Sequence, residues 1–211
     1  MLQAINARAQ MLLTEPDGVR GERAARAVRV IFERVADMRR LTKGLMDFSH
    51  RDVLRRRERV NGLVQDAVEF VSPQNRYERI RWRLDLDPSD PEADVDGGQL
   101  RQVLVNLFQN AAEAMAEAGT ADWWIEVTTR ERGDWIELRV RDGGPGIPEA
   151  IRARAFEPWF TTKPGGHGFG LAVCYRILSN HGGSIAAQNA PGGGAEMLIR
   201  LPVRPARRAA A

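Results

Sequence analysis

Leu2, Ile5, Ala9, Leu12 and Leu13 recur at helical spacing, which predicts a short amphipathic helix stopped by the turn chemistry of Glu15, Pro16, Asp17 and Gly18. A longer helix follows over about 23–51, with Val28, Ile31, Val35, Met38, Leu45 and Phe48 forming a seam much like a heptad repeat. Two helices of unequal length cannot bury that seam alone, so the pattern predicts a helical hairpin that pairs with a second copy into a four-helix bundle. Beyond residue 55 the pattern turns mixed. A helix is expected over 61–71, then a Pro-containing loop over 72–78 and an alternating strand through Ile80, Trp82 and Leu84. Asp96 followed by Gln99 is a candidate capping pair for the helix that carries Asn106 and Asn110. Strands are expected over 123–130 and 135–141 around a turn at 131–134, a helix over 170–181, and strands over 184–188 and 195–201 around a turn at 191–194. Strands in one layer and helices in the other make the second part an α+β two-layer sandwich. The expected divisions are a hairpin over 1–55, a sandwich domain over 56–203 and a disordered tail over 204–211, rich in Arg, Ala and Pro.

Composition changes this picture little. The chain has 211 residues, of which 43% are hydrophobic and 28% charged, an ordinary globular balance. No apolar run approaches the length of a membrane helix and no signal-peptide pattern is present, so no membrane contact and a cytoplasmic setting are expected. The single cysteine, Cys174, falls inside an expected helix and reads as a small core residue, which excludes a disulfide framework or a cysteine metal cluster. Arginines cluster at 39–40, 51–59 and 204–208, but the net charge is only +3 and no aromatic or groove-reading company accompanies them. Solvated helix faces or a partner-docking surface fit them better than nucleic acid.

The candidate chemistry lies over 140–171. Val-Arg-Asp-Gly-Gly-Pro-Gly-Ile occupies 140–147, Phe-Glu-Pro-Trp-Phe-Thr-Thr-Lys occupies 156–163, and Gly-Gly-His-Gly-Phe-Gly-Leu occupies 165–171. Gly168 and Gly170 precede an apolar helical run, where successive backbone N–H groups and the helix N-terminus can cradle phosphate. Asp142 ends an alternating strand, and a carboxylate fixed there is suited to accept from an exocyclic amine, which would select adenine. Asn106 and Asn110 stand at i and i+4, so both amides project from one helix face, where a neutral amide oxygen can ligate magnesium while phosphates supply the remaining charge.

In this order and spacing the motifs resemble the catalytic ATP-binding domain of bacterial sensor histidine kinases, within the superfamily shared with gyrase, Hsp90 and MutL. The N-terminal hairpin is similar to the dimerisation hairpin that precedes that domain in the same family. The resemblance implies ATP and Mg2+ as cofactors, with Asn110 as the magnesium ligand, Asn106 its phosphate-side neighbour, Asp142 the adenine contact, and Gly144 and Gly146 the close-approach glycines. Residues 156–163 would open a mobile lid, with Lys163 near the phosphates and Gly166, Gly168 and Gly170 closing it. Ile147, Phe160, Thr161, His167, Phe169 and Leu171 complete the implied nucleotide contacts, and Asn106 and Lys163 are the implied catalytic residues. The implied reaction is transfer of the γ-phosphoryl group of Mg-ATP to a histidine and onward to a response regulator, in a homodimer.

Departures from the family pattern are few. The family's acceptor histidine precedes a sequence like Leu2-Gln-Ala-Ile5, so the chain is expected to begin after it and, alone, to bind ATP without phosphorylating itself. His50 and His181 read as solvated or as charge partners of helix C-termini. His167 stands where the family has a small hydroxyl residue, and reads as a surface position with contact to the γ-phosphate as the alternative. Ala195 and Glu196 replace a threonine, which removes a hydroxyl contact toward adenine, and Phe169 replaces a leucine. A nucleotide sensor or scaffold without transfer chemistry is one rival reading. A gyrase-like or Hsp90-like ATPase is another, disfavoured because that group carries a catalytic glutamate where this chain has Asn106.

Overall fold

In the computed structural model, the described residues are Val28, Val30, 54–163 and 168–203. The chain separates into two compact units, residues 1–51 and 52–211. Of the segment expected as a hairpin, Val28 and Val30 have helical backbone and Leu54 and Arg55 are described, while the rest of it, His50 included, and the tail over 204–211 lie outside the described residues. The second unit is an α+β fold in which helices cover one face of a mixed sheet.

That unit opens with strand β1 (Arg56–Arg59), which runs directly into helix α1 (Val60–Val71). Helix α1 forms because Val60, Leu63, Val64, Ala67 and Val71 repeat at three- and four-residue spacing and are buried together. Asn61 is buried on the same face and is fully engaged: its amide donates to the Asp87 carbonyl at 2.8 Å and its oxygen accepts from the Thr129 hydroxyl at 2.6 Å. This pairing ties the start of α1 to the sheet. The loop after α1 contains a 3-10 turn (Asn75–Tyr77) that buries the Tyr77 ring, and leads to β2 (Arg81–Asp85).

Strand β3 (Glu92–Val95) pairs antiparallel with β1 in a separate two-stranded ribbon, which was not expected from the sequence. Its last residues deliver the chain to α2 (Gly97–Glu117), where Asp96 accepts from the Gln99 N–H at 3.1 Å, the anticipated N-cap. Strands β4 (Trp124–Arg132) and β5 (Trp135–Asp142) form a hairpin around Gly133 and Asp134, with Gly133 at φ 61°. A short helix α3 (Glu149–Arg152), also not anticipated, precedes α4 (Gly170–Asn180). Strands β6 (Ser184–Asn189) and β7 (Ala195–Pro202) complete the sheet, whose order is β2-β4-β5-β7-β6. Only β2 and β4 run parallel; the other neighbours are antiparallel.

Alternation along the strands sorts the two faces. Ile125, Val127, Ile136, Leu138, Val140, Ile199 and Leu201 turn inward against Leu104, Leu107, Phe108 and Met115 of α2 and Leu178 of α4, all nearly inaccessible to solvent. Each such side chain contributes roughly 1.5–3 kcal/mol by leaving water. The opposite face carries ion pairs, including Arg139 to Glu137 at 2.8 Å and Arg200 to Glu137 at 3.0 Å, so the sheet has one apolar side and two layers suffice.

Candidate functional site

Helix α2 buries Val103, Leu104, Leu107, Phe108, Ala111, Ala112 and Met115 and leaves Asn106, Asn110 and Glu113 half-buried along the opposite stripe. The three fall at i, i+4 and i+7, so their polar ends form one row. Asn106 reaches the start of α4: its amide nitrogen lies 3.5 Å from the Gly170 carbonyl oxygen and 3.8 Å from Cys174 Sγ. Asn110 Oδ1 accepts from Lys163 Nζ at 3.3 Å, and the same ammonium pairs with the Glu113 carboxylate. Burial pushes the Glu113 carboxyl upward, but the bonds from Lys163 and from Gln109 outweigh it and hold Glu113 below the usual carboxylate range.

Among the described residues no side chain caps the N-terminus of α4, a helix start of the kind that meets anions. The approach to it is shaped by Gly168, which sits at φ 68° and whose carbonyl accepts from the Trp159 N–H at 3.1 Å. A Cβ on Gly168 would overlap the Trp159 and Phe160 backbone, so only glycine allows this approach. Trp159 itself has φ 70° and packs edge-on against the buried Phe169 at 4.4 Å between ring centroids. Phe160 lies under the Arg154 guanidinium at 4.4 Å, and Thr161 Oγ1 accepts from the Lys163 N–H at 3.1 Å. Leu171 is half-buried in the first turn of α4. Gly166 and His167 lie outside the described residues.

Asp142 ends β5 with 8% of its surface exposed. Its Oδ1 accepts from the Gly144 N–H at 2.9 Å and from the Ala195 N–H at 3.2 Å. Among the described residues no bond to Oδ2 is found. Burial raises the Asp142 carboxyl above its ordinary range, against the pull of those two N–H groups. The turn that leads into β7 passes close to it, since a Cβ on Gly194 would overlap the Asp142 carbonyl. A Cβ on Gly144 would fall 3.7 Å from Ala114 on α2, which brings the Asp142 loop within one helical turn of Asn110. Gly146, at φ 82°, abuts Asn189, whose side chain accepts from the Ile147 N–H at 2.7 Å and donates to the Ile147 carbonyl at 3.1 Å.

Thus Asn106, Asn110, Lys163 and Gly170 meet in one group, and Asp142 and Gly144 join it through Ala114. Phe160 and Thr161 make contacts within their own segment, and Gly146 and Ile147 are held by Asn189. Three participants were not anticipated. Glu113 was legible in principle from its spacing to Asn110, whereas Asn189 and the Ala195 N–H carry no local signal, because β6 and β7 reach the site only through sheet pairing. Cys174 is fully buried, and burial pushes its thiol up to about 12, which leaves it the inert core residue anticipated.

The His181 reading is corrected. The ring is only 3% exposed and bridges two helix ends: Nε2 accepts from the Asp96 N–H at 2.9 Å, and Nδ1 lies 2.7 Å from the Ile177 carbonyl, fixing the tautomer with the proton on Nδ1. Burial lowers its basicity, and the nearby Arg55 adds to that effect, so His181 is a neutral bridge and not a solvated charge partner. Leu54 and Arg55 attach at the same place, the first through its N–H to Asp96 Oδ2 at 3.3 Å and the second through its guanidinium to the Asn180 carbonyl.

A mixed sheet with helices on one face, and a row of amides facing a helix start that no described side chain caps, defines a domain of the ATP-binding class. Residues 95–205 match the family described as histidine kinase-, DNA gyrase B- and HSP90-like ATPase. The sensor histidine kinase ZraS of Escherichia coli K12 is 35% identical over 149 residues, covering 71% of this chain and 31% of that protein. The sensor protein FixL of Bradyrhizobium diazoefficiens is 34% identical over 163 residues, covering 77% of this chain and 32% of that protein. The catalytic domain of the histidine kinase ThkA superposes with a TM-score of 0.64 at 30% identity, covering 72% of this chain and 97% of that one. Full-length ShkA in complex with AMPPNP gives a TM-score of 0.74 at 25% identity, covering 97% of this chain and 44% of that one. The chain belongs to the histidine kinase-, DNA gyrase B- and HSP90-like ATPase family, and its domain is the ATP-binding domain of a bacterial sensor histidine kinase. It spans between about a fifth and a third of the length of the curated relatives it matches. Among the described residues no helix is long and apolar enough to cross a membrane.

Proposed function

We propose that this domain binds Mg-ATP and passes its γ-phosphoryl group to a histidine side chain, for onward transfer to an aspartate of a response regulator. One observation carries the reading: the two asparagines, Lys163 and the start of α4 meet at one place, with Asp142 one helix turn along α2. Asp142 Oδ1 is committed to backbone donors, which leaves Oδ2 for the exocyclic amine of adenine. Gly144 and Gly146 let the base approach the backbone, with Ile147 beside it. The N–H groups at Gly170 and Leu171 and the Lys163 ammonium would face the phosphates, with Phe160, Thr161, Gly168 and Phe169 beside them.

The site suits a cation, since Asn110 Oδ1 and the Glu113 carboxylate already hold one, the Lys163 ammonium. Asn110 would therefore hold magnesium, which supplies charge neutralisation at the phosphates when bound. Protein groups mainly position the reactants in this chemistry, because the loose transition state needs little covalent help. Asn106 favours transfer over hydrolysis, since an amide cannot take a proton from water as a glutamate would.

At the level of the whole protein, residues 1–55 would pair with a second copy in a four-helix bundle that presents the histidine, and a receiver domain would be the downstream partner. ThkA in complex with the response regulator protein TrrA, a likeness of fold with a TM-score of 0.71, supports that partner class. The setting proposed is the bacterial cytoplasm, where ATP is supplied.

Calorimetry with a non-hydrolysable ATP analogue, with and without Mg2+, tests the reading. Tight binding that Mg2+ strengthens is expected, and Asn110→Ala should abolish most of the Mg2+ effect, roughly tenfold or more. Absence of binding heat in the intact chain, or an unchanged Mg2+ effect in the variant, would refute it.

A further inference from the structure

Glu113 was invoked above only as a group that holds the Lys163 ammonium, and its carboxylate is itself held from two sides. Gln109, one turn earlier on α2, donates its amide to Glu113 at 2.8 Å, and the Lys163 ammonium pairs with it from across the pocket. Lys163 is restrained at its other end too, through its N–H to Thr161 Oγ1 at 3.1 Å. The same ammonium lies on Asn110 Oδ1 at 3.3 Å, the oxygen proposed to hold the nucleotide's cation. An ammonium beside an amide oxygen competes with a divalent ion for it, because the two cations repel at that separation unless further anions part or neutralise them.

We propose that Glu113 is a positioning residue that tethers Lys163 over Asn110 in the nucleotide-free pocket, so that the lysine acts as a built-in cation that an incoming metal-bound triphosphate must displace. The proposal rests on the Mg-ATP reading above and adds the order of events to it. Without nucleotide, Lys163 neutralises the Glu113 carboxylate and fills the cation position. With nucleotide, the phosphates supply a stronger anionic partner, the lysine moves to them, and Asn110 is released to the metal. Glu113 thereby opposes nucleotide binding while keeping residues 156–163 ordered beside α2.

Hydrogen exchange on the nucleotide-free intact chain reads the tether directly. Glu113→Gln should raise exchange in peptides covering 156–163, Glu113→Asp should restore part of the protection, and Glu113→Lys combined with Lys163→Glu should restore it by reversing the pair. Titration of AMPPNP in Mg2+ should show Glu113→Gln binding more tightly, by roughly two- to fivefold, the range that a half-exposed ion pair sets. Unchanged exchange in Glu113→Gln overturns the tether. Weaker binding in that variant overturns the displacement, and would mean that Glu113 itself serves the metal. Absence of AMPPNP binding in the unmodified chain would sink the Mg-ATP reading, whereas the nucleotide-free exchange data would still decide the tether.

Discussion

Replacing Asp142 by Asn separates base recognition from folding. Oδ1 accepts from two backbone N–H groups, at 2.9 and 3.2 Å, so an asparagine there must keep its oxygen on that side; turned the other way, its NH2 would face two donors. The amide nitrogen then takes the place of Oδ2 and presents a donor to the pocket. Adenine's exocyclic amine, also a donor, loses its acceptor. A hydrogen bond to a charged group contributes about 1.5–3 kcal/mol, so ATP affinity should fall roughly 10- to 100-fold. Inosine triphosphate carries a carbonyl at that position and should bind the Asp142→Asn variant better than the unmodified chain, inverting the preference. The fold should not suffer, because burial already disfavours the ionised carboxylate and the amide removes that penalty. Calorimetry with both nucleotides, beside a thermal melt, measures all three quantities. If Asp142→Asn melts normally, binds ATP within about twofold of the original and gains nothing for inosine triphosphate, Oδ2 does not face the base and the assignment is wrong.

Two further substitutions bear on the scaffold. His181→Phe leaves the part-buried Asp96 N–H without that acceptor, a loss of about 1–3 kcal/mol, and should lower Tm by about 2–10 °C for a domain of this size. In the unmodified chain His181 binds a proton less readily when folded than when unfolded, so its effect on stability is absent well above pH 6.5 and grows as pH falls below it. Melts from about pH 7.5 to about pH 5.5 should therefore show a decline that His181→Phe lacks, and parallel curves would refute the neutral bridge. Gly168→Ala forces a left-handed alanine, at about 1–2 kcal/mol, and pushes its Cβ into the Trp159 backbone. The Trp159 to Gly168 bond should break, with faster hydrogen exchange at Trp159 and several-fold weaker ATP binding; retained protection would show that the bridge survives.

The sequence was most legible where periodicity was long. Helices α1, α2 and α4 and strands β4 to β7 announce themselves through repeated apolar positions; the ends of α1, α4 and these strands, and the start of α2, fall within a few residues of expectation. Strands β1 and β3 did not, since Arg-Arg-Glu-Arg and Glu-Ala-Asp-Val are four residues each and owe their pairing to a neighbouring strand and not to their own composition. Helix α3 spans four residues and buries none of them, so it leaves no periodic trace. Within the site, the motif-bearing groups could be named in advance, but the partners that fix them could not. Asn189 and Ala195 lie 42 and 53 positions from the residues they bond, and only the order of the sheet brings them there. His181 misled for the same reason: a histidine before two glycines looks like a frayed helix end until Asp96 is packed against it.

The bridge at His181 also sets the mechanics of the pocket. It joins the start of α2 to the end of α4, so the two helices run from a shared fastening like the arms of a pair of tweezers. At about 1.5 Å per residue, Asn106 stands about 15 Å from that fastening along one arm and Gly170 about 16 Å along the other, at nearly equal reach. A change of about 1 Å in their gap then corresponds to a tilt of only about 4° at the base, where Leu54 and Arg55 are attached. A rotation at the point where the chain enters the domain would therefore open or narrow the gap between Asn106 and Gly170.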